Sequence, residues 1–287
     1  MPTLSYEVVD VFTDTAFAGN PLAVVLDADD VSTAGLQALA REFHLSETAF
    51  PLPPESADAD YGLRIFTPGT ELPFAGHPSI GAAWVLARLG RITAGPVRQS
   101  CGAGLLPLVV EPGPGRVELT GGTPTVGPTV DPAVVHAAVG LARADLVDLP
   151  PRLAGAGLDF LYLPVREAAV GRASPDLARL PALGVAGVSV FAWSASPAQA
   201  HARVFAGEVG VTEDPATGSA ALGLGAFLVG ARLLQADGSS AYVVHQGAEI
   251  GRPSTLSCTV RAEGGVAVEC TVAGSVVPVA RGEIARP

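Results

Sequence analysis

The sequence predicts an α+β protein of two similar halves, each built from strands wrapped round a central buried helix. Its 287 residues are long for one domain and short for three, which favours two. Two predicted helices, opening at His77 and Gly218, are rich in small residues and apolar on nearly all sides, as expected of buried helices. Short segments also recur between the two halves in the same order.

The recurring segments indicate an internal duplication. The stretch GAAWVLARL (81–89) aligns with GAFLVGARL (225–233) at an offset of 144 residues. After a short loop, VRQSCGAG (97–104) aligns with VHQGAEIG (244–251) at an offset of 147 residues. A three-residue loop insertion accounts for the difference. Two such halves leave a cleft, where small-molecule sites usually lie, and we expect both helix N-termini to face it.

The remaining elements alternate along the chain. Apolar, β-branched runs bounded by turn residues predict strands over 6–12, 22–26, 47–52, 61–67, 158–165 and 187–194. Helices are predicted over 33–43, capped by Ser32 or Thr33, and over 131–141.

The amino-acid composition excludes several classes of binding partner and of catalytic chemistry. A net charge of −11 argues against a nucleic-acid or membrane partner. All 17 basic residues are arginines, so Schiff-base and P-loop lysines are excluded. Cys101, Cys258 and Cys270 lie far apart, which fits buried thiols in a reducing compartment better than a disulfide frame or a metal site. The sequence carries no signal-peptide pattern, and we expect a cytoplasmic protein.

His77 opens the first buried helix, in the stretch ELPFAGHPSIGAA. A residue before proline is pushed out of the helical conformation, and an N-cap needs that same backbone. We therefore predict that His77 is the N-cap and Pro78 the first helical residue. The partial positive charge of a helix N-terminus lowers the pKa of a histidine, so a neutral ring is expected. The alternative is an ordinary cap with a surface histidine.

The second buried helix opens in EDPATGSAAL, where Asp214 precedes a proline as His77 does and Thr217, Gly218 and Ser219 follow. Unpaired N–H groups at such an N-terminus bind anions without lysine, so two of them facing one cleft would hold a carboxylate. Helix capping is the alternative role for Asp214 and Ser219.

A general acid/base is sought among the remaining polar residues. Glu47 in HLSETAF begins a strand directly after a helix, where residues often reach a cleft, although an exposed strand glutamate is the alternative. Asn20 in AGNPLAV is equally compatible with a turn residue bonded to its own backbone.

Along essentially the whole chain, the sequence resembles the PhzF-like (phenazine biosynthesis PhzF) family. The resemblance rests on VDVFTDTAFAGNPLAV, LSETAF, FTPGTELPFAGHPSIGAA, RVFAGEVGVTEDPATGSAA, HQGAEIGRPS and SVVPVARGEI. It implies a diaminopimelate epimerase-like fold, in which two pseudo-symmetric domains each wrap a mostly antiparallel sheet round a central helix. The implied domains are 1–120, joined by a returning C-terminal strand 277–287, and 121–276.

The resemblance also implies an isomerase that moves a proton between ring carbons of a dihydro-hydroxyanthranilate without a cofactor. Glu47 stands in the place of the acid/base, and His77 and Asp214 would orient the substrate or assist proton movement. The residues that the resemblance implies for substrate binding are Asn20, Gly76, Ser79, Thr217, Gly218 and Ser219. A small anionic substrate is expected, and a homodimer is a common state for such enzymes.

Epimerases of the related fold carry a cysteine at each helix N-terminus, where this chain has Ala75 and, in the sequence alignment, Pro215. We therefore expect proton transfer by Glu47, its pKa raised by a dry cleft, and not by thiols. Two rival functions stay open. One is a racemase or epimerase in which His77 opposes Glu47, and the other is a family member that has become a binding or regulatory protein.

Overall fold

The structure, a computed structural model, describes residues 2–54, 56–113, 115–206 and 212–287. Its architecture is α+β, and the chain forms two compact units, residues 1–120 with 273–287 and residues 121–272. Residues 207–211 of the motif RVFAGEVGVTEDPATGSAA, including Gly207, lie outside the described residues.

The first unit is a mostly antiparallel sheet with two helices. Its elements are β1 (Thr3–Val11), β2 (Asn20–Val25), α1 (Thr33–Phe43), β3 (Glu47–Leu52), β4 (Tyr61–Phe66), β5 (Glu71–Leu72), α2 (Gly76–Arg88), β6 (Gly95–Cys101), β7 (Gly104–Val110), β8 (Val117–Thr120) and the returning β17 (Val276–Ala285). The parallel pairs β2–β3 and β4–β6 are each connected through a helix, whereas the pairs β1–β2, β1–β17, β3–β4, β4–β5, β6–β7 and β7–β8 are antiparallel.

The second unit has the same character. Its elements are β9 (Pro124–Thr129), α3 (Pro132–Ala138), β10 (Arg152–Ala156), β11 (Asp159–Pro164), α4 (Glu167–Val170), β12 (Val188–Ala195), β13 (Ala198–Phe205), α5 (Gly218–Gly230), β14 (Gly238–Gln246), β15 (Ser254–Glu263) and β16 (Val266–Gly274), whose last two residues already belong to the first unit. The pairs β11–β12 and β13–β14 are parallel, and the pairs β9–β10, β10–β11, β12–β13 and β14–β15 are antiparallel.

The order of elements repeats between the units. The series β1, β2, α1, β3, β4 corresponds to β10, β11, α4, β12, β13, and each series leads into a buried helix, α2 or α5, followed by β6 or β14. In both units the buried helix connects two parallel strands. The predicted pseudo-symmetric α+β fold is therefore confirmed.

The helices α2 and α5 form the centres of their units. Residues 76–86 of α2 and 218–229 of α5 are all buried. Glycines let neighbouring elements approach closely: a Cβ on Gly81 would lie 2.5 Å from the Leu22 side chain, and one on Gly223 would lie 2.4 Å from the Tyr162 hydroxyl. The small residues noticed in the sequence thus allow tight packing on every side of each helix.

The predicted start of α2 is wrong by two residues. Ala75, not His77, is the N-cap, with φ −151° and ψ 141°, so that Gly76 and His77 are the first two helical residues. Pro78 then takes the third position, where an N–H would still lack an acceptor within the helix, and proline is tolerated there. His77 therefore does not cap α2, and its side chain is buried.

The predicted 144-residue offset between the buried helices is also wrong. Both helices contain 13 residues, and their first residues, Gly76 and Gly218, are 142 positions apart. Ser219, not Asp214, therefore occupies the place of His77 in the second copy. The sequence match was two residues out of register because both helices draw on the same few small and apolar residue types.

Other local predictions agree with the structure. The helix α1 begins at Thr33, and Ser32 caps it by accepting a hydrogen bond from the Gly35 N–H at 3.2 Å. The strand β3 spans the predicted residues 47–52. Within the described residues, no helix has the length and apolar character that a membrane crossing requires.

Candidate active site

His77 is the most buried titratable residue at the N-terminus of α2. It is 3% exposed, and burial lowers the pKa of its imidazole to about 3. Sequence reasoning attributed a lowered pKa to the helix N-terminus, whereas loss of solvation is the cause found here. The ring is therefore neutral at pH 7, as predicted.

Two polar side chains lead to one nitrogen of the His77 ring. The Asn20 Nδ2 lies 3.2 Å from His77 Nδ1, and the Ser46 hydroxyl donates a hydrogen bond to Asn20 Oδ1 at 3.1 Å. Asn20 is fully buried at the start of β2, and Ser46 directly precedes β3. The end of the α1–β3 connection thus joins the N-terminus of α2 through a buried amide.

Glu47 faces the other nitrogen of the same ring. As the first residue of β3, it places Oε2 3.6 Å from His77 Nε2, which is longer than a hydrogen bond. The Glu47 side chain is 15% exposed. Among the residues that the structure describes, the buried His77 Nε2 has no hydrogen-bond partner. The structure therefore brings together Asn20, Glu47 and His77, three of the residues selected from the sequence.

Gly76 and Ser79 lie in the same helical turn. Gly76 is the first residue of α2, and its N–H precedes the first hydrogen bond of the helix. The Ser79 hydroxyl donates to the Ala75 carbonyl at 2.9 Å and accepts a hydrogen bond from Gln99 at 3.0 Å. These contacts give Ser79 a structural role at the helix N-terminus, and its predicted contact with substrate stays a prediction.

The second unit has its own polar cluster at the N-terminus of α5. Thr217 is the N-cap, so it is the counterpart of Ala75, and the sequence-based choice of Pro215 was wrong. The Thr217 hydroxyl donates to Asp214 Oδ2 at 2.6 Å. Thr217 cannot act as a thiol, so the argument against a two-cysteine mechanism is unchanged.

A buried glutamine from β14 holds this cluster. Gln246 Oε1 accepts from the Thr217 N–H at 3.2 Å, and its Nε2 lies 3.0 Å from the Thr217 hydroxyl and 2.7 Å from the Asp214 carbonyl oxygen. The next residues, Gly218 and Ser219, open the helix and are buried. Within the described part of the chain, the Ser219 hydroxyl has no hydrogen-bond partner, so it is available to a ligand.

The segment before Asp214 is anchored by an ion pair. Glu213 accepts two hydrogen bonds from the Arg203 guanidinium, at 2.8 and 2.6 Å, and Arg203 also donates to the Ala173 carbonyl at 2.6 Å. The Glu213 carboxylate raises the pKa of Arg203. A planar, bidentate contact of this kind fixes the direction in which the chain approaches Asp214.

Sequence reasoning missed Ser46, Arg203 and the two glutamines. Gln99 and Gln246 bind the N-termini of α2 and α5 respectively, and both lie in the segments recognised as repeated. Their recurrence at corresponding positions was the available signal. Ser46 lies in the motif LSETAF and Arg203 begins RVFAGEVGVTEDPATGSAA, so the motifs marked both positions, but the contacts that define their roles could not be read from the sequence. Within the described residues, no group of three or more His, Cys, Asp or Glu side chains is arranged to hold a metal ion.

Curated relatives of nearly full length are isomerases. One from Mesorhizobium japonicum, named an uncharacterized isomerase, is 35% identical over 324 residues and is matched over 99% of both chains. The trans-2,3-dihydro-3-hydroxyanthranilate isomerase of Pseudomonas aeruginosa is 36% identical over 266 residues, or 90% of each chain. The fold and these relatives define an enzyme of the isomerase class.

The family follows from a match over almost the whole sequence. The model described as phenazine biosynthesis-like protein, PhzC-PhzF, matches residues 9–282, and the chain belongs to this family. A solved PhzF-family protein from Bacillus anthracis superposes on 99% of this chain and all of its own, with 26% identity and a TM-score of 0.88. The predicted family is therefore confirmed.

Proposed function

We propose that this isomerase moves a proton from one carbon atom of a small carboxylate substrate to another, with Glu47 acting first as base and then as acid. One observation carries the proposal. The Glu47 carboxylate lies 3.6 Å from Nε2 of a neutral imidazole that burial keeps uncharged. A carboxylate beside a neutral donor in a largely dry environment is suited to general acid/base work at carbon.

The proposed reaction balances without a further reactant. Glu47 takes a proton from carbon, and the electron pair of the broken C–H bond moves into the conjugated system. The protonated Glu47 then returns the proton to a second carbon, so that a double bond has shifted and no atom is gained or lost. Neutral His77 donates a hydrogen bond to the substrate atom on which negative charge develops. In this proposal the reaction needs no cofactor.

The distance between Glu47 and His77 also favours proton migration over inversion of a stereocentre. In a two-base racemase the reacting carbon lies between the two groups at about 3–3.5 Å from each, so the groups stand roughly 6–7 Å apart. The observed 3.6 Å leaves no room for a carbon between these two side chains. Both groups can instead serve one face of a substrate.

Each helix N-terminus is proposed, taken by itself, as a place where a substrate carboxylate can bind. The N–H groups of Gly76 in α2 and of Gly218 and Ser219 in α5 precede the helical hydrogen bonds and can donate to a carboxylate. Asp214, held through Thr217, accepts a hydrogen bond from a substrate amino or hydroxyl group. As a first substrate we propose trans-2,3-dihydro-3-hydroxyanthranilate, on which the Pseudomonas aeruginosa relative acts according to its name.

Proton exchange in heavy water tests the proposal. Wild type, Glu47→Gln and the surface control Glu42→Gln are incubated with trans-2,3-dihydro-3-hydroxyanthranilate in D₂O, and the product is analysed by NMR and mass spectrometry. Isomerised product is expected from wild type and Glu42→Gln but not from Glu47→Gln. Deuterium in the product would show exchange with solvent, and its absence would show that Glu47 returns the same proton. Undiminished turnover by Glu47→Gln would overturn the assignment of the base. If wild type is also inactive, the substrate assignment fails, and a panel of amino and hydroxy acids then tests the proton transfer.

A further inference from the structure

We propose that Ser46 and Asn20 are positioning residues that keep the proton of His77 on Nε2, the nitrogen that faces Glu47. The inference deepens the proposed function and rests on it for its catalytic meaning, although the position of the proton can be measured without any substrate. Ser46 was not among the residues that the sequence suggested.

Three consecutive contacts carry the inference. The Ser46 hydroxyl lies 3.1 Å from Asn20 Oδ1, and Asn20 Nδ2 lies 3.2 Å from His77 Nδ1. On the far side of the ring, His77 Nε2 lies 3.6 Å from Glu47 Oε2. Asn20 and His77 are both buried, so water does not compete for these groups.

The orientation of the Asn20 amide in the structure gives the direction of each contact. A carboxamide has one acceptor end and one donor end, and its oxygen end already accepts the Ser46 hydroxyl. The NH₂ end of Asn20 therefore donates to His77 Nδ1, which must be the unprotonated nitrogen. A neutral ring then carries its proton on Nε2.

The Glu47 carboxylate acts in the same direction. If the Asn20 amide were turned over, Nδ1 would carry the proton and the lone pair of Nε2 would face Glu47 Oε2. That arrangement places two acceptors opposite each other in a buried site, which is unfavourable. The Asn20 amide and the Glu47 carboxylate thus agree on one tautomer, and the Ser46 hydroxyl stabilises the amide orientation that it requires.

The tautomer decides what His77 can do. With the proton on Nε2, the ring offers a hydrogen-bond donor beside Glu47, where negative charge develops in the proposed reaction. With the proton on Nδ1, the same nitrogen offers only an acceptor. This assigns Asn20, which was expected to bind substrate, to holding the histidine.

Nitrogen-15 NMR of the enzyme without substrate tests the inference directly. Histidine-labelled wild type is compared with His77→Gln to assign the His77 signals among those of the five histidines. At pH 7 we expect a neutral ring with a protonated Nε2 and a bare Nδ1. A protonated Nδ1, or an imidazolium, would overturn the inference whether or not the enzyme is an isomerase.

Variants extend the test. Asn20→Asp replaces the donor with an acceptor, so the proton should move to Nδ1 or a second proton should bind, and kcat should fall at least about a hundredfold, as wrong tautomers do in other enzymes. Ser46→Ala should lower kcat roughly five- to tenfold with little change in KM. Ser46→Thr, which keeps the hydroxyl, should restore kcat, and the exposed control Ser239→Ala should leave it unchanged.

The outcomes separate the two proposals. A protonated Nε2 in wild type together with no isomerase activity would uphold the tautomer and remove only the proposed function. An unchanged NMR signature and unchanged kcat in Ser46→Ala would exclude Ser46 as a positioning residue. If Asn20→Asp does not fold, the wild-type spectrum and the Ser46 variants still decide the matter.

Discussion

At the N-terminus of α2, histidine and proline occupy the second and third helical positions, whereas α5 has serine and alanine in the corresponding places. In α2 the side chain at the second position is buried against Asn20 and Glu47. In α5 the hydroxyl of the serine at that position has no partner among the residues that the structure describes, and the polar contacts are made by the residues that precede the helix. The two helix N-termini thus have corresponding backbone positions and differ in the side chains at those positions.

The shared part is the support of each N-terminus. A buried glutamine from the strand that follows the helix, Gln99 in one unit and Gln246 in the other, donates a hydrogen bond to a hydroxyl at each helix start. Because Pro78 lacks an N–H, α2 offers fewer donors to an anion than α5 does. Under the proposed function, this difference fits a division of work, in which the first copy moves protons and the N–H groups of the second copy suit an anion.

The largest effect is expected at Glu47, where a substitution tests the proposed difference between the two copies. Glu47→Gln should lower kcat by about 10²–10⁴, because an amide cannot accept the proton. Asp214→Asn likewise replaces a carboxylate with an amide, but in the second unit. It should chiefly raise KM, by roughly tenfold, because an amide oxygen still accepts the Thr217 hydroxyl. Steady-state kinetics with the substrate established in heavy water measures both effects, and thermal unfolding checks the folds. Equal losses of kcat in the two variants would remove the division of work.

The pH dependence of stability distinguishes the buried His77 from Ser219, its counterpart in α5, which does not titrate. Burial lowers the pKa of His77 to about 3 from the 6.5 of an unfolded histidine, so the unfolded chain binds the extra proton between these values. The contribution of the neutral His77 ring to the free energy of unfolding is therefore fully present above pH 6.5 and is lost progressively as the pH falls towards 3. From pH 7 to pH 5 the loss should be about 2 kcal/mol.

Urea denaturation of wild type and His77→Gln at both pH values measures this contribution. The wild type should lose more free energy of unfolding than the variant, because only wild type can protonate at this position. Ser219→Ala serves as the control in the second copy and should follow the wild-type slope. Parallel slopes for wild type and His77→Gln would mean that His77 is not held neutral by burial.

Much of the architecture was predictable because it depends on local chemistry and on repeated composition. The helix cap at Ser32, the strand 47–52 and the two buried helices follow from capping, periodicity and small-residue content. The residues that meet around the His77 ring were also among those selected from the sequence, because Glu47, His77 and Asn20 each lie at the start of an element. That they meet around one imidazole could not be read from the sequence, since the contacts join segments up to 57 residues apart.

The errors arose where two local rules compete. The rule that a residue before proline leaves the helix suggested His77 as a cap, but proline is also tolerated at the third helical position, and burial of His77 inside the unit favours the earlier start. The two copies were aligned two residues out of register because both helices contain the same few types of small and apolar residue. His77 and Ser219 correspond because each is the second residue of its helix, and the start of each helix is defined by backbone hydrogen bonds that the sequence does not show.

A smaller effect, on the free energy of unfolding, is expected at Gln99 and Gln246, the corresponding glutamines of the two copies. Gln246→Met should lower the free energy of unfolding by about 1–3 kcal/mol, because it leaves the Thr217 N–H and the Asp214 carbonyl oxygen without their partner. Gln99→Met should cost less, because the partners left behind are hydroxyl groups, which can reorient. Chemical denaturation of both variants measures the difference. A larger loss for Gln99→Met would show that the first copy depends more on its glutamine.

The smallest effect is expected at Ser219, which has the helical position of His77 without its chemistry. Ser219→Ala removes a hydroxyl with no partner among the described residues, so stability should change by less than about 0.5 kcal/mol. If that hydroxyl binds substrate, KM should rise about three- to tenfold while kcat stays within twofold. Ser239→Ala, in an exposed strand position, is the matched control for kinetics and unfolding. A fall in kcat with unchanged KM would place Ser219 in the proton transfer itself, and the two helix N-termini would then share the chemistry instead of dividing it.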